Sequence, residues 1–315
     1  MLRTRRDHCL RTLVRAPAAT ARLVCLPHSG GSAAGYGPWS TALPPTVELL
    51  AVQYPGHGDR FGESPSTDVR ALSAELASEL LRLPPLPTVL FGHSLGALVG
   101  YETAVTLGTL GRPPAGLLAS SCPPPGRAGR IRAGGLSDEV LWSLIRSLGG
   151  IDPDLPEEPE VAEAVLPVLR ADLTAHEQYR VEPRTAPLAC PVRCHHGTLD
   201  PLVDRALVAE WAAVTTGPFS LLEREGHHFH LFQHPEGVLA DLAAFLDAVT
   251  IDAVTVDAAA TGATAAPAPR LPAPSTDVPS TDVPSTAAPS TAVPSTADPG
   301  DSTPGDSTPR PARAL

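Results

Sequence analysis

Residues 90–102 read "LFGHSLGALVGYE", a serine between two glycines directly after an apolar run and directly before a helical pattern. The pentad Gly92-His93-Ser94-Leu95-Gly96 fits Gly-x-Ser-x-Gly, whose glycines permit a sharp strand-to-helix turn that lifts the serine hydroxyl clear of a sheet. Such a turn also aims a helix N-terminus, with its partial positive charge, at any anion developing beside the serine.

Outward from this turn, short apolar runs alternate with helical patterns. Strands are expected at 22–27 ("RLVCLP"), 47–55, 88–93 ("TVLFGH"), 115–121, 190–197 ("CPVRCHHG") and 219–225, each closed by Gly, Pro, Ser or charge. Helices are expected at 68–83, 95–111, 205–215 and 235–249. This order predicts a mostly parallel sheet covered by helices on both faces. Its site belongs in the loops beyond the carboxyl ends of the strands.

One stretch breaks the alternation. Residues 123–187 show no strand pattern but hold amphipathic helices at 137–150 and 160–180, placed where an inserted helical lid would cover the site. Near residue 252 the chain changes character again, into a degenerate Pro-Ser-Thr pentad ("PSTDVPSTDVPSTAAPSTAV") almost free of large apolar side chains. Such a segment cannot bury enough surface to offset roughly 1–2 kcal/mol per residue of backbone ordering. The chain is thus expected to divide into a catalytic domain over 1–251 and a disordered tail over 252–315.

Composition removes several chemistries. All 23 basic residues are Arg, and neither Lys nor Asn occurs among the 315 residues, which excludes a Schiff-base or P-loop lysine and a Cys-His-Asn site. A formal charge of −11 argues against nucleic acid as a partner. The cysteines are five and scattered, which suggests reduced thiols rather than a disulfide framework. No apolar stretch approaches the ~18 residues of a membrane helix, and the N-terminus lacks a signal-peptide core. A cytoplasmic protein with no membrane partner is expected.

A serine hydroxyl needs a base, and the base needs an orienting carboxylate. In the order Ser, acid, His, each on a loop after a strand, most of the eleven histidines drop out. His28 and His57 precede the serine, His93 lies within the pentad, and His176 falls in the inserted helices. What remains is "EGHHFH" (225–230), where spacing leaves His227, His228 and His230 open. "HHGTLDPLVD" offers Asp200 as the acid, with Asp204 second because it stands at the expected start of a helix. Zinc is not expected at Cys190, Cys194, His195 and His196, because adjacent residues of a strand point to opposite faces. No metal or other cofactor is expected.

Together, "LVCLPHSGGSAAGYGPW" (23–39), "YPGHGDR" (54–60), the serine pentad, "LPVLRADLTAHEQYR" (166–180), "HGTLDPLV" (196–203) and "GHHFHL" (226–231) resemble the type II thioesterases. These are free-standing α/β-hydrolases that accompany modular polyketide and nonribosomal peptide synthases. The resemblance runs over nearly all of residues 9–250. It implies hydrolysis of acyl thioesters from the phosphopantetheine arm of carrier domains, clearing aberrant or misprimed groups. It further implies Ser94 as nucleophile, Asp200 as acid, His228 as base, and the backbone N–H groups of Leu95 and Ser29 as oxyanion donors. His227 and His230 stand where the family usually has a glycine and an apolar residue. The loop "ASSCPPPG" after the next strand holds no carboxylate, unlike integrated chain-releasing thioesterases, which usually take their acid from there. A fatty-acyl carrier thioesterase or small-molecule esterase of the same fold, and a silent synthase-binding protein, are the alternatives.

Overall fold

The computed structural model describes residues 8–128, 135–149, 159–183 and 186–260. Its strands are β1 (Leu10–Val14), β2 (Ala21–Leu26), β3 (Val47–Val52), β4 (Thr88–His93), β5 (Gly116–Ser120), β6 (Val192–Gly197) and β7 (Phe219–Arg224). They form one sheet in the order β1-β3-β2-β4-β5-β6-β7, parallel throughout except for β1, which pairs antiparallel with β3. The helices are α1 (Val69–Arg82), α2 (Leu95–Thr109), α3 (Asp138–Ser147), α4 (Pro159–Gln178), α5 (Arg205–Ala209), α6 (His230–Gln233) and α7 (Pro235–Ala260). This is the α/β-hydrolase architecture, with β4 at the centre of the sheet delivering Ser94.

The central strands read as continuous apolar runs because both of their faces are buried. Leu23, Cys25, Leu49, Ala51, Val89 and Phe91 pack on one side with Tyr36, Trp39 and the α7 side chains Leu242 and Phe245. Their neighbours Val24, Leu26, Leu50, Val52 and Leu90 face the other side, against Leu72 and Leu76 of α1 and Leu95 and Leu98 of α2. All five cysteines are free thiols buried in these layers. Local signals start the helices where the pattern places them. The Asp68 carboxylate accepts from the Arg70 N–H at 2.8 Å and opens α1, and the Ser137 hydroxyl caps α3 through the Val140 N–H.

The helices between β5 and β6 carry a small apolar cluster of their own. Leu141 of α3 packs with Leu166, Leu169 and Leu173 of α4, and Trp142 and Ile145 lean on the group.

The structure departs from the sequence expectations in three places. The edge strand β1 had no signal, because none of its residues is fully buried and the two-sided apolar run is missing. The helix expected over 205–215 stops at Ala209 and continues as a tighter 3₁₀ turn over Glu210–Val214. The compositional break at 252 falls inside α7, which runs to Ala260 through an Ala-rich segment that favours helix. The rest of the tail lies outside the described residues.

Candidate active site

The chain reverses at Ser94 with φ 52° and ψ −119°, a conformation an L-residue adopts only under constraint from its surroundings. That constraint is backbone packing. A Cβ on Gly92 would lie 2.2 Å from the Gly96 carbonyl oxygen, and one on Gly96 would lie 2.1 Å from that of Leu26. Both positions therefore require glycine, and α2 begins hard against the end of β2. The Ser94 N–H donates to Ser120 O at 2.9 Å, which ties the turn to β5. Leu95 opens α2, so its N–H belongs to the first turn, where no intrahelical acceptor exists.

Asp200 and His228 sit on the loops after β6 and β7. Those loops are stitched together, with the Thr198 N–H donating to Arg224 O and the Leu199 N–H to Gly226 O. The result is a contact of 2.9 Å between His228 Nδ1 and Asp200 Oδ2, with both side chains almost wholly buried. Asp200 Oδ1 also accepts from the N–H groups of Leu202 and Val203. Burial works to raise the Asp200 carboxyl, but the hydrogen bond and charge of His228, with the Leu202 N–H, outweigh it and hold the group below its ordinary value. A carboxylate at Nδ1 fixes the neutral imidazole with its proton there, which leaves Nε2 as the lone-pair nitrogen.

The other histidines of that loop point elsewhere. His227 is exposed and meets Leu199 O at 3.1 Å, whereas His230 is fully buried with Nε2 at 3.5 Å from the Ser120 hydroxyl. The same hydroxyl meets His93 Nδ1 at 3.0 Å, and the His93 ring stands 5.1 Å from that of His228. Burial, reinforced by neighbouring imidazoles, drives His93 far below its ordinary pKa and His230 down to about 4, so both are neutral supports for the ring beside them. Asp204 is exposed at the N-cap position of α5 and makes no capping bond through its side chain.

Ser94 and His228 line one cavity, whose wall also includes Ser29, Ile145 of α3, and Leu173 and His176 of α4. The loop after β2 is fastened to α4 at this point. The Gly30 N–H donates to Asp172 Oδ2 at 2.7 Å, and His57 Nε2 meets the same oxygen at 2.9 Å. His57 Nδ1 lies 2.9 Å from Pro55 O, so both ring nitrogens face acceptors, which calls for the doubly protonated imidazolium. Burial alone would lower His57, but Asp172 outweighs it and raises the pKa. Sequence order set aside His57 and His176 and passed over Asp172. The available signal was an α4 face at 169, 172, 173 and 176 that mixes leucines with ionisable groups at helical spacing.

His195 and His196 part company as their strand placement requires, His195 to Asp241 at 2.7 Å and His196 to Val203 O at 2.9 Å. Among the described residues, Cys9, Glu75 and Glu79 bring one ligand atom each within 4.8 Å of the others. Glu79 already accepts from the N–H groups of Cys9 and Leu10, and Arg60 pairs with Glu75. Burial, with both carboxylates adding, pushes the Cys9 thiol far above its ordinary value, which disfavours the thiolate a metal needs. The group serves to tie β1 to α1.

The sequence profile of the thioesterase domain matches residues 21–246, from the first residue of β2 into α7. The chain belongs to the thioesterase-domain family. This thioesterase is 38% identical over 238 residues to thioesterase PikA5 of Streptomyces venezuelae, a match covering 73% of this chain and 83% of that one. It is 36% identical over 237 residues to the probable cadicidin biosynthesis thioesterase of Streptomyces griseus, covering 75% of this chain and 65%, just under two thirds, of that protein. Among solved structures, the type II thioesterase BorB from the borrelidin biosynthetic cluster superposes with a TM-score of 0.69 at 37% identity, covering 76% of this chain and 97% of BorB. The family match therefore takes in β2–β7, α2, the inserted helices and the loops that hold Asp200 and His228. Among the described residues no helix is long and apolar enough to cross a membrane.

Proposed function

We propose that this thioesterase hydrolyses acyl groups from the phosphopantetheine arm of synthase carrier domains in the cytoplasm, clearing aberrant or misprimed chains, with Ser94, His228 and Asp200 as its triad. The observation that carries the reading is the buried His228–Asp200 contact of 2.9 Å on a cavity that Ser94 also lines from a strained turn. The carrier substrate rests on the motif resemblance and on relatives named for natural-product biosynthesis.

His228 Nε2 takes the Ser94 proton as Oγ attacks the thioester carbonyl. The oxyanion is held by the Leu95 N–H, at the positive end of α2, and by the Ser29 N–H, each donor contributing roughly 10²–10³ in rate. The tetrahedral intermediate expels the pantetheine thiolate, which leaves as the thiol with the proton from His228. Water then attacks the acyl-Ser94 ester, its proton passing through His228 back to Oγ, and the carboxylic acid departs. Asp200 keeps the ring oriented and stabilises its charged form in both steps. The Gly30–Asp172 bond holds the loop that presents Ser29.

Time-resolved mass spectrometry of an acetyl-loaded carrier protein tests this. Conversion to the free phosphopantetheine form, lost in Ser94→Ala and retained by a chain ending after Ala260, is expected. Failure to release acyl groups from the carrier, beside Ser94-dependent hydrolysis of simple esters, would refute the substrate class and leave the esterase reading. Undiminished release by Ser94→Ala would refute the site.

A further inference from the structure

His176 sits on α4 with about 2% of its surface exposed, and among the described residues neither ring nitrogen has a hydrogen-bond partner. Burial, with the nearby His228 ring adding, drives its pKa down to about 4, so the ring is neutral at neutral pH and offers one N–H donor and one lone pair. A buried polar group left unpaired is unfavourable and calls for an explanation. The catalytic steps above do not use it, since His228 has its own carboxylate and a ring with so low a pKa is a poor base.

The surroundings suggest which chemical group would pair with the ring. His176 faces the cavity that holds Ser94 and His228, among the apolar side chains of Ile145, Leu173, Leu202 and Phe229. A saturated acyl chain would satisfy those four residues and leave the imidazole unpaired. An acyl chain with an oxygen within a few bonds of the thioester carbonyl would satisfy all five.

We propose that His176 is a specificity-determining residue that hydrogen-bonds a hydroxyl or carbonyl on the acyl chain, so that the site favours oxygenated short acyl groups over saturated ones of equal length. This rests on the Ser94 site of the proposed function but not on the carrier. The polar partner has two sources of the same chemistry, an oxygen of the acyl chain or an amide of the pantetheine arm, and substrates that vary them separately distinguish the two.

The test compares 3-hydroxybutyryl with butyryl, each as the carrier thioester and as the N-acetylcysteamine thioester, in the full chain and in His176→Leu and His176→Gln. The full chain is expected to show the higher kcat/KM for 3-hydroxybutyryl. In His176→Leu the ratio of the two kcat/KM values is expected to fall by about tenfold or more, because the substrate hydroxyl loses its partner in an apolar pocket. His176→Gln, which keeps a donor and an acceptor, is expected to retain most of the ratio, and it carries the test if the leucine variant misfolds. An unchanged ratio in both variants overturns the proposal. An equal loss on both acyl groups with carrier thioesters also overturns it, by assigning His176 to the arm. If neither carrier thioester is cleaved, the substrate class fails separately, and the ratio is still read on the N-acetylcysteamine pair.

Discussion

Replacing Gly96 with alanine perturbs the turn at its tightest point. The new Cβ would stand 2.1 Å from Leu26 O and 2.7 Å from Pro27 O, both backbone atoms at the end of a central strand. Real contacts of this kind begin near 3.0 Å, so α2 and β2 must separate by roughly 0.9 Å. Overpacking of this sort costs about 1–3 kcal/mol, which in a domain of this size lowers Tm by roughly 2–12 °C. The same displacement shifts Ser94 and the Leu95 N–H relative to His228, and a misplacement near 1 Å costs about 10²-fold in rate. Gly100, one turn further along α2, is the control. Its Cβ would meet Leu117 Cδ1 at 3.3 Å, the far end of a side chain that can yield. The gain of about 0.5–1 kcal/mol for alanine inside a helix offsets that crowding. Thermal unfolding and kcat/KM on an acyl thioester, measured for both variants, check this. Gly96→Ala within about 1 °C and twofold of the parent chain, or Gly100→Ala equally damaged, would refute the reasoning.

Asp200→Asn leaves an amide that stabilises the wrong imidazole tautomer, and kcat is expected to fall by on the order of 10⁴; a drop below about tenfold would mean that another group orients His228. Asp172→Asn removes the charge that holds His57 protonated. Because the folded pKa of His57 is raised, the stabilisation from that pair is fully present below the unfolded value near ~6.5 and is lost as pH rises through the folded value. The Tm gap between the parent chain and Asp172→Asn should therefore be widest in mildly acidic buffer and narrow toward alkaline pH, and a gap independent of pH would contradict the imidazolium assignment.

The strands that build the site were legible because burial on both faces writes an unbroken apolar run, as in β2 and β4, and because Gly-x-Ser-x-Gly states its own backbone requirement. The edge strand β1 was illegible for the converse reason, since an exposed antiparallel edge demands no such run. Asp200 could be placed from its loop after β6, but spacing could not choose among His227, His228 and His230, because neighbouring positions in a turn differ only in direction, and it was the family resemblance alone that pointed to His228. That direction is set by the bonds joining the β6 and β7 loops, and no local pattern encodes them. The Asp172–His57–Gly30 junction joins three segments far apart in the chain, and His176 becomes conspicuous only once the cavity exists around it.

The burial of all five cysteines has a practical side. Burial pushes their thiols upward, Cys190 to about 11 and the others further, so they resist thiol reagents while the protein is folded. With no lysine in the chain, side-chain amines are absent as well. The folded surface is thus nearly blank to the two commonest labelling chemistries. A lone cysteine introduced at an outward position such as Leu199, 59% exposed beside the Asp200 loop, would be the one reactive handle. Moved from site to site and activated as a 2-thiopyridyl disulfide, it could exchange with a carrier's pantetheine thiol, releasing thiopyridone, and so test whether and where a carrier lands with little background from the buried thiols.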